Sequence, residues 1–458
     1  MIENDAFKLL LINLFHLNPD DIANILCTTF NKMMVLVVTL TDKHQACPYC
    51  GFTAPKIKEY VTKEITHSAL TTQKCIIKYR ARRYKCSCCG KTYYEFNPFV
   101  FKSQKISILT VHNILKDLKD FNETFTSVAR RYHVSPTSVS TIFDNHVDIG
   151  RNPLPEIINF DEVYAFKSEK SKYVCVLLDF KKQIPVDVLP NRKKEYLLNY
   201  FQKIPLEERK KVKYACSDMY EVYRDVVHKV FPESKHLLDY FHLSQDFHKK
   251  MNEVRIKVMK GYKDNKASDE YYLLKKFNWL LFKNPEDEDK YGRLFDVERE
   301  RKYNSHFKSY MNYYDLRKKI LEINNDLTIC YSLKLELVDF YSKSTIDNAK
   351  VNLENLIRSC IDTNIDEMIA FSNNLINWKQ EIINSFTIVG TEYKVEADKG
   401  QVVVCNKKVN NAIIENRNKI IKCIKNNANG YTNWSRFRNR VMYVLDPNAT
   451  FSLEPREK

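Results

Sequence analysis

Ile157–Lys167 reads IINFDEVYAFK, an apolar, β-branched run that carries Asp161 at its centre. It has the composition of a buried strand. Tyr173–Phe180 and Ile184–Leu189 follow as two more strands, and a helix is expected from about Lys193 to Gln202. A fourth strand, Val212–Cys216, ends at Ser217-Asp218, and a fifth, Lys235–Tyr240, feeds a helix beginning near His242. The resulting order is β-β-β-α-β-α-β-α. Asp161 falls on the first strand and Asp218 at the end of the fourth. An aspartate before a helix is commonly a cap, so each acid alone reads as structural.

Upstream lie two further patterned units. Cys47-Pro-Tyr-Cys50-Gly51 and Cys86-Ser-Cys-Cys89-Gly90 are CxxCG words 35 residues apart. Thiolates at i and i+3 converge on one ion when the chain turns tightly, and the following glycine can adopt the left-handed turn that aims N–H groups at sulfur. Cys47, Cys50, Cys86 and Cys89 therefore form a candidate structural Zn²⁺ site. Cys88 is an alternative to Cys89, and four buried thiols are the bland reading. With Ile57–Tyr60 and Cys75–Tyr84 as strands, the unit reads as a zinc ribbon. Ten Lys/Arg against Glu59 and Glu64 give Lys56–Lys91 a net +8, which suits phosphate contact through residues such as Arg82 and Arg83.

Within Thr126–Val147, the spacing of Val128, Ala129, Val134, Val139 and Ile142 matches the inward positions of a helix-turn-helix. Ser135-Pro136 starts the second helix as N-cap and first residue. His133 stands where such turns often carry glycine. Thr137, Ser138, Thr141 and Asn145 then face a DNA groove, although an ordinary helical hairpin would show the same spacing.

At 458 residues the chain should form two to four units of roughly 100 to 200 residues. Only 8 glycines occur and none is spaced as GxGxxG or GxxxxGK, which argues against dinucleotide and P-loop folds. The net charge of +16 points to nucleic acid, unless an AT-rich genome alone supplied the lysines. Neither a secretory leader nor an apolar run of about 20 residues occurs. A cytoplasmic protein with no membrane partner, and mostly reduced cysteines among its 13, is expected.

Gly261–Asn384 is mostly helical by pattern, with helices expected at Asp347–Ile361 and Ile365–Ser385. A later helix, about Asn411 to Asn426, places Glu415 amid Asn411, Asn418, Lys419, Lys422 and Asn426, opposite a stripe of Ile413, Ile414, Ile420, Ile421 and Ile424. Nine Lys/Arg and this one acid occupy Asn406–Arg440.

The strand order resembles the ribonuclease-H-like fold of polynucleotidyl transferases. As a whole the chain resembles DDE transposases of the ISL-three type, from bacterial insertion sequences. The matching words are CPYCG, RRYKCSCCGKTYYE, NFDEVYAFK, Asp218-Met219-Tyr220, FPESKHLLDYFH and NNAIIENRNKIIKCIKNNANGYTNWSRFRNR. After Lys425 the chain has Asn426-Asn427 where the family usually continues with Arg.

The resemblance implies that Asp161, Asp218 and Glu415 are the catalytic carboxylates, holding Mg²⁺ or Mn²⁺, and that Asp239 and His242 form an accessory Asp-x-x-His motif. It implies nicking and strand transfer on double-stranded DNA, at terminal inverted repeats and at the target, by a nucleoid-associated bacterial homodimer. Lys419, Lys422 and Lys425 are candidate DNA contacts. The expected architecture is multi-domain α+β. It comprises an N-terminal segment (1–45), a zinc ribbon (46–98), a helix-turn-helix (99–150) and a ribonuclease-H-like α/β catalytic domain (151–260 and 401–445). A helical insertion (261–400) interrupts that domain, and a tail (446–458) follows it. A DNA-binding regulator without catalysis and a metal-dependent nuclease are the competing functions.

Overall fold

The structure, a computed structural model, describes residues 2–43, 46–53, 55–101, 104–166, 171–395 and 402–456. Lys167, the last residue of the opening motif, lies outside them.

Helix α1 (Ile2–Leu14) precedes strands β1 (Ile22–Phe30), β2 (Met33–Leu40), β3 (Lys56–Thr66), β4 (Cys75–Lys85) and β5 (Thr92–Tyr94). These strands form one sheet in the order β1-β2-β4-β3, with β5 on β4. Residues 1–45, set apart in the sequence, thus supply two strands that share a sheet with the cysteine-bearing hairpin. Asn31 and Lys32 both take positive φ (49° and 62°), the twist that a two-residue hairpin loop needs. In β4 the period of two is plain: Cys75, Ile77, Tyr79 and Ala81 are buried, while Lys78 and Arg80 point away from that core.

Three helices follow, α2 (Ile108–Asp117), α3 (Phe125–Arg131) and α4 (Pro136–His146). Val128, Ala129, Val139 and Ile142 are buried in their shared core, and Val134 packs against it. Ser135 caps α4 by accepting from Ser138 N, with Pro136 in the first position. His133 takes φ 53°, so histidine does occupy the left-handed turn.

The central sheet contains β6 (Ile157–Val163), β7 (Val174–Asp179) and β8 (Pro185–Leu189), then α5 (Lys194–Gln202) and the short α6 (Leu206–Arg209). It continues with β9 (Tyr214–Ser217), α7 (Glu221–Val230), β10 (Lys235–Leu238) and α8 (Tyr240–Lys260). Its order is β10-β9-β6-β7-β8. The pairs β10/β9 and β9/β6 are parallel; β6/β7 and β7/β8 are antiparallel. Helix α8 starts two residues before His242, so His242 lies in its first turn.

Beyond α8 come α9 (Asp269–Lys276), the small ladders β11 (Glu288–Asp289) with β12 (Gly292–Arg293) and β13 (Lys302–Asn304) with β14 (Ser309–Met311), and five helices. These are α10 (Tyr313–Glu322), α11 (Asn325–Lys343), α12 (Ala349–Asp362), α13 (Asp366–Asn377) and α14 (Lys379–Asn384). They share one apolar core with α8. The single helix expected over Ile365–Ser385 is two, because the backbone leaves helical geometry at Trp378 (φ −105°, ψ 17°), where the indole is buried.

A hairpin absent from the sequence reading, β15 (Ile388–Val395) with β16 (Val402–Lys408), leads to α15 (Ala412–Asn427) and α16 (Trp434–Leu445). Ile414, Ile421 and Ile424 of α15 and Phe437, Val441 and Met442 of α16 pack on Val174, Val176, Leu178 and Val188. The opposite sheet face is covered by α5 and α7 through Leu197, Phe201, Tyr223, Val226 and Val227. No described helix is long and apolar enough to cross a membrane.

Candidate active site

Three aspartates stand at the carboxyl ends of the three parallel strands. Asn159 is level with Cys216, and Leu238 with Ser217. Extending that register places Asp161, Asp218 and Asp239 in one row across β6, β9 and β10. Ligand sites in open α/β sheets gather at this end because the strands stop there and loops and helix starts take over.

Burial shifts the protonation of the row. Asp161 and Asp239 are each less than a tenth exposed. Removal from water pushes the Asp161 carboxyl up to about 7, with the nearby Asp218 charge adding to the effect. Burial also raises Asp218 and Asp239, since desolvation penalises the charged form. Asp161 Oδ1 accepts from Glu162 N (2.7 Å), and Oδ2 accepts from Asn418 Nδ2 (2.8 Å). Asp218 Oδ1 accepts from Tyr220 N at 3.2 Å.

Helix α15 is laid on this row by asparagines. Asn159 Nδ2 donates to Asn410 O (2.8 Å) and Asn411 Oδ1 (2.7 Å). Asn411 Nδ2 donates to Phe160 O (3.3 Å), and Asn411 N to Asp239 Oδ1 (3.2 Å). Asn411 and Asn418 are thus buried against the sheet end rather than on the open face expected for them, because that face of α15 closes over the acids. Glu415, in the first turn of α15, is brought beside Asp239 and His242; one ligand atom from each of the three lies within 4.8 Å of the others. Asp161 and Asp218 are not part of that triplet and sit next to it. Asp239 does not cap its own helix α8 by a side-chain hydrogen bond; it receives the start of α15 instead.

The donor set suits a divalent cation. Asp239 Oδ2 and His242 Nε2 are buried without a hydrogen-bond partner and lie 3.8 Å apart. Four carboxylates are the hard oxygen ligands that Mg²⁺ and Mn²⁺ prefer. A cleft of about 350 Å³ opens on the site, lined by Arg192, Asp218, Tyr220, His242, Gln245 and Lys249 among others. Arg192 pairs with Glu162 and stacks over Tyr173 and Tyr220. The sequence reading missed Arg192 and the role of Asn418; PNRKKE (190–195) and NRNK (416–419) hold no spacing that announces either.

The four cysteines also converge. Cys47 and Cys89 sulfurs are 3.7 Å apart, Cys50 and Cys86 sulfurs 3.5 Å, and all four form one cluster that could hold a metal ion. Cys88 is exposed and outside it. Gly51 and Gly90 take φ of 74° and 70°, and each amide donates back to the first cysteine carbonyl of its word (2.9 and 3.0 Å). Backbone amides of Cys89 and Cys88 lower the Cys86 thiol to about 6, which favours thiolate.

The remaining candidates divide. Thr137 and Thr141 are exposed on α4, and Ser138 and Asn145 half-buried. Lys419 and Lys422 are exposed on α15, and Lys425 lies over the Tyr164 ring. Arg83 pairs with Glu59 at 2.6 Å. Arg82 is engaged inside its unit, paired with the buried Glu95 at 2.8 Å and donating to Leu40 O, so its guanidinium is turned to protein rather than presented as a surface cation. Arg436, Arg438 and Arg440, counted among the cations around Glu415, are likewise taken up by Asp144, Asp187 and the carbonyls of Asp120 and Glu123.

The family model for ISL3-type DDE proteins, described as a transposase, matches residues 158–397. That span contains Asp161, Asp218, Asp239 and His242 and stops short of Glu415. The chain is also 18% identical to the transposase for insertion sequence element IS1001 of Bordetella parapertussis over 411 residues, covering 89% of this chain and 91% of that protein.

Proposed function

The chain belongs to the ISL3 family of DDE transposases, and from that premise we propose that it nicks DNA at the terminal inverted repeats of an insertion sequence and joins the freed ends to target DNA. The observation that carries the proposal is the level row of Asp161, Asp218 and Asp239, the first and last of them buried, with Glu415 and His242 folded over it. The β10-β9-β6-β7-β8 order supports a ribonuclease-H-like catalytic domain, split by the helical stretch before Glu415.

Asp161, Asp218 and Glu415 would hold Mg²⁺ or Mn²⁺, with Asp239 and His242 beside them. Such ions, when bound, supply the Lewis acidity that activates the attacking oxygen and stabilises the departing one. The protein's own part is positional. Asn418 fixes the Asp161 carboxylate, Asn411 fixes Asp239, and Lys419 and Lys422 offer charge to phosphates along α15. In nicking, water adds to phosphorus and the P–O3′ bond breaks, leaving a 3′-hydroxyl. In joining, that hydroxyl attacks a target phosphodiester and a target 3′-hydroxyl departs. Neither step needs a covalent protein intermediate.

The four-cysteine cluster supports a structural Zn²⁺ ribbon, and α3 and α4 a helix-turn-helix that reads the repeat. Two copies holding two ends complete the proposed assembly. The test is incubation of the protein with terminal-repeat DNA, target plasmid and Mg²⁺. Joined donor-target product is expected, absent for Glu415→Gln while repeat binding persists. Near-normal joining by Glu415→Gln would remove this residue from the site; binding without nicking by the parent protein would favour the regulator reading.

A further inference from the structure

A second side-chain cluster lies behind the row of acids, between the central sheet and the helical stretch. It joins His228 in the last turn of α7, His236 on β10 and Glu381 on α14, and one ligand atom from each lies within 4.8 Å of the others. Glu381 Oε1 stands 3.9 Å from His228 Nε2 and 4.0 Å from His236 Nδ1. Both separations are too long for hydrogen bonds.

Hydrogen bonding fixes which nitrogen of His236 is bare. Ser217 has one proton, and its hydroxyl donates to Asp218 O at 2.8 Å. The 2.9 Å contact between Ser217 Oγ and His236 Nε2 must then be donated by the imidazole. In the neutral ring, which burial favours, that leaves Nδ1 as a lone pair, in a side chain about 1% exposed, with no hydrogen-bond partner, facing a buried carboxylate. Two acceptors buried face to face repel unless a cation stands between them. Arg224, whose charge also bears on Glu381, is committed to Asn377 O at 2.9 Å and to the Trp378 ring.

We propose that His228, His236 and Glu381 bind a transition-metal dication of the Zn²⁺ class, distinct from the acidic row and from the cysteine cluster, with a fourth position left for water. Two imidazoles and one carboxylate are a known zinc set, and bonds of about 2.0–2.2 Å in a tetrahedron space donor atoms by roughly 3.3–3.6 Å. The 3.9 Å separation contracts to that range through a small rotation of the exposed His228 ring, and the 4.0 Å separation through a small rotation of the Glu381 carboxylate. Ser217 supplies the outer hydrogen bond that zinc-bound histidines ordinarily have. The ion would tie α7, β10 and α14 together, one residue from Asp218, and add to the bond from Asn384 Nδ2 to His236 O (2.9 Å). This inference does not rest on the transposase reading.

The full-length protein, stripped of metal and titrated with Zn²⁺ in excess Mg²⁺, tests it. His228→Ala, at a position more than half exposed, should bind one equivalent fewer than the parent and show a smaller zinc-dependent rise in melting temperature. Ser217→Ala should weaken that equivalent about 10–100-fold. Co²⁺ at this site should show no sulfur charge-transfer band, whereas Cys86→Ser should remove only the sulfur-ligated equivalent. Equal zinc stoichiometry and equal zinc-dependent stabilisation in His228→Ala and the parent would overturn the proposal.

Discussion

Asp161 shows how one residue's position sets both the cost and the use of the site. Burial raises its pKa to about 7, above the ordinary aspartate value of about 3.9, so without divalent cation the folded state holds a proton that the unfolded chain releases. The stability linked to that proton is fully present below about pH 4 and is lost as pH rises through about 7. The burial-raised Asp218 and Asp239 push the same way. In EDTA the melting temperature should therefore fall between about pH 4 and 7, by the equivalent of a few kcal/mol at most. Mg²⁺ should restore it at neutral pH, by about 2.7 kcal/mol at a hundredfold excess over Kd. Asp161→Asn should flatten the fall and leave the EDTA form at pH 8 at least as stable as the parent, while abolishing nicking. Thermal scans across pH check this; a parent protein whose EDTA melting temperature climbs from pH 5 to 8 would contradict it. Asn418→Ala, which frees Asp161 Oδ2, should lower nicking by about 10–100-fold with repeat binding unchanged.

At the scale of elements, the proposed function assigns the cysteine hairpin and the α3–α4 pair different contacts with DNA. Thr137 and Thr141 are exposed near the start and middle of α4, where base edges would be read, so Thr137→Ala with Thr141→Ala should cost about 1–3 kcal/mol on the repeat and little on random DNA. Lys58 and Arg80, both exposed, should instead act on all sequences: replacing them should reduce the slope of log affinity against log salt by about two phosphate contacts. Arg82→Ala should lower stability by about 1–3 kcal/mol, because it strands the buried Glu95. Binding titrations at several salt concentrations separate these outcomes. What the sequence disclosed at this scale was local: CxxCG turns, the Ser-Pro helix start, the isoleucine stripe, the strand order. What it concealed was long-range. Asn418 meets Asp161 across 257 positions and Asn411 meets Asp239 across 172, and no periodicity encodes such a pairing. The β1–β2 hairpin is local and lies within residues 1–45; what the sequence concealed there is the parallel pairing of β2 with β4, which joins these residues to the sheet of the cysteine hairpin. Arg82 was read as a surface cation because charge counts ignore which partner lies across the strand.

Across the whole molecule, α16 joins helices α2–α4 to the central sheet. Arg436 pairs with Asp144 of α4 at 2.5 Å, and Tyr443 Oη donates to Leu115 O of α2 at 3.0 Å. Lys119 Nζ returns bonds to Asp446 O and Ala449 O. On its sheet side, Arg438 holds Asp187 of β8 at 2.6 Å. At the centre Arg440, about 1% exposed, donates to Asp120 O and Glu123 O, each at 2.8 Å. These bonds close the turn between α2 and α3. A buried guanidinium loses more hydration than an exposed one, so its retention suits a joint in which two carbonyls would otherwise go unpaired. Arg440→Met keeps the apolar stem and removes both bonds, which should cost about 2–4 kcal/mol, one desolvated acceptor at a time. Because the loss falls on the joint, the α2–α4 unit should melt before the central sheet, so that one calorimetric transition becomes two and protease cuts near Phe121–Thr124 early. Repeat binding should fall by less than tenfold, whereas joining should drop by far more, since only the joint places bound DNA over Asp161 and Glu415. A variant that melts in one transition and loses binding and joining in equal proportion would show that Arg440 stabilises the fold without setting the geometry between the two units.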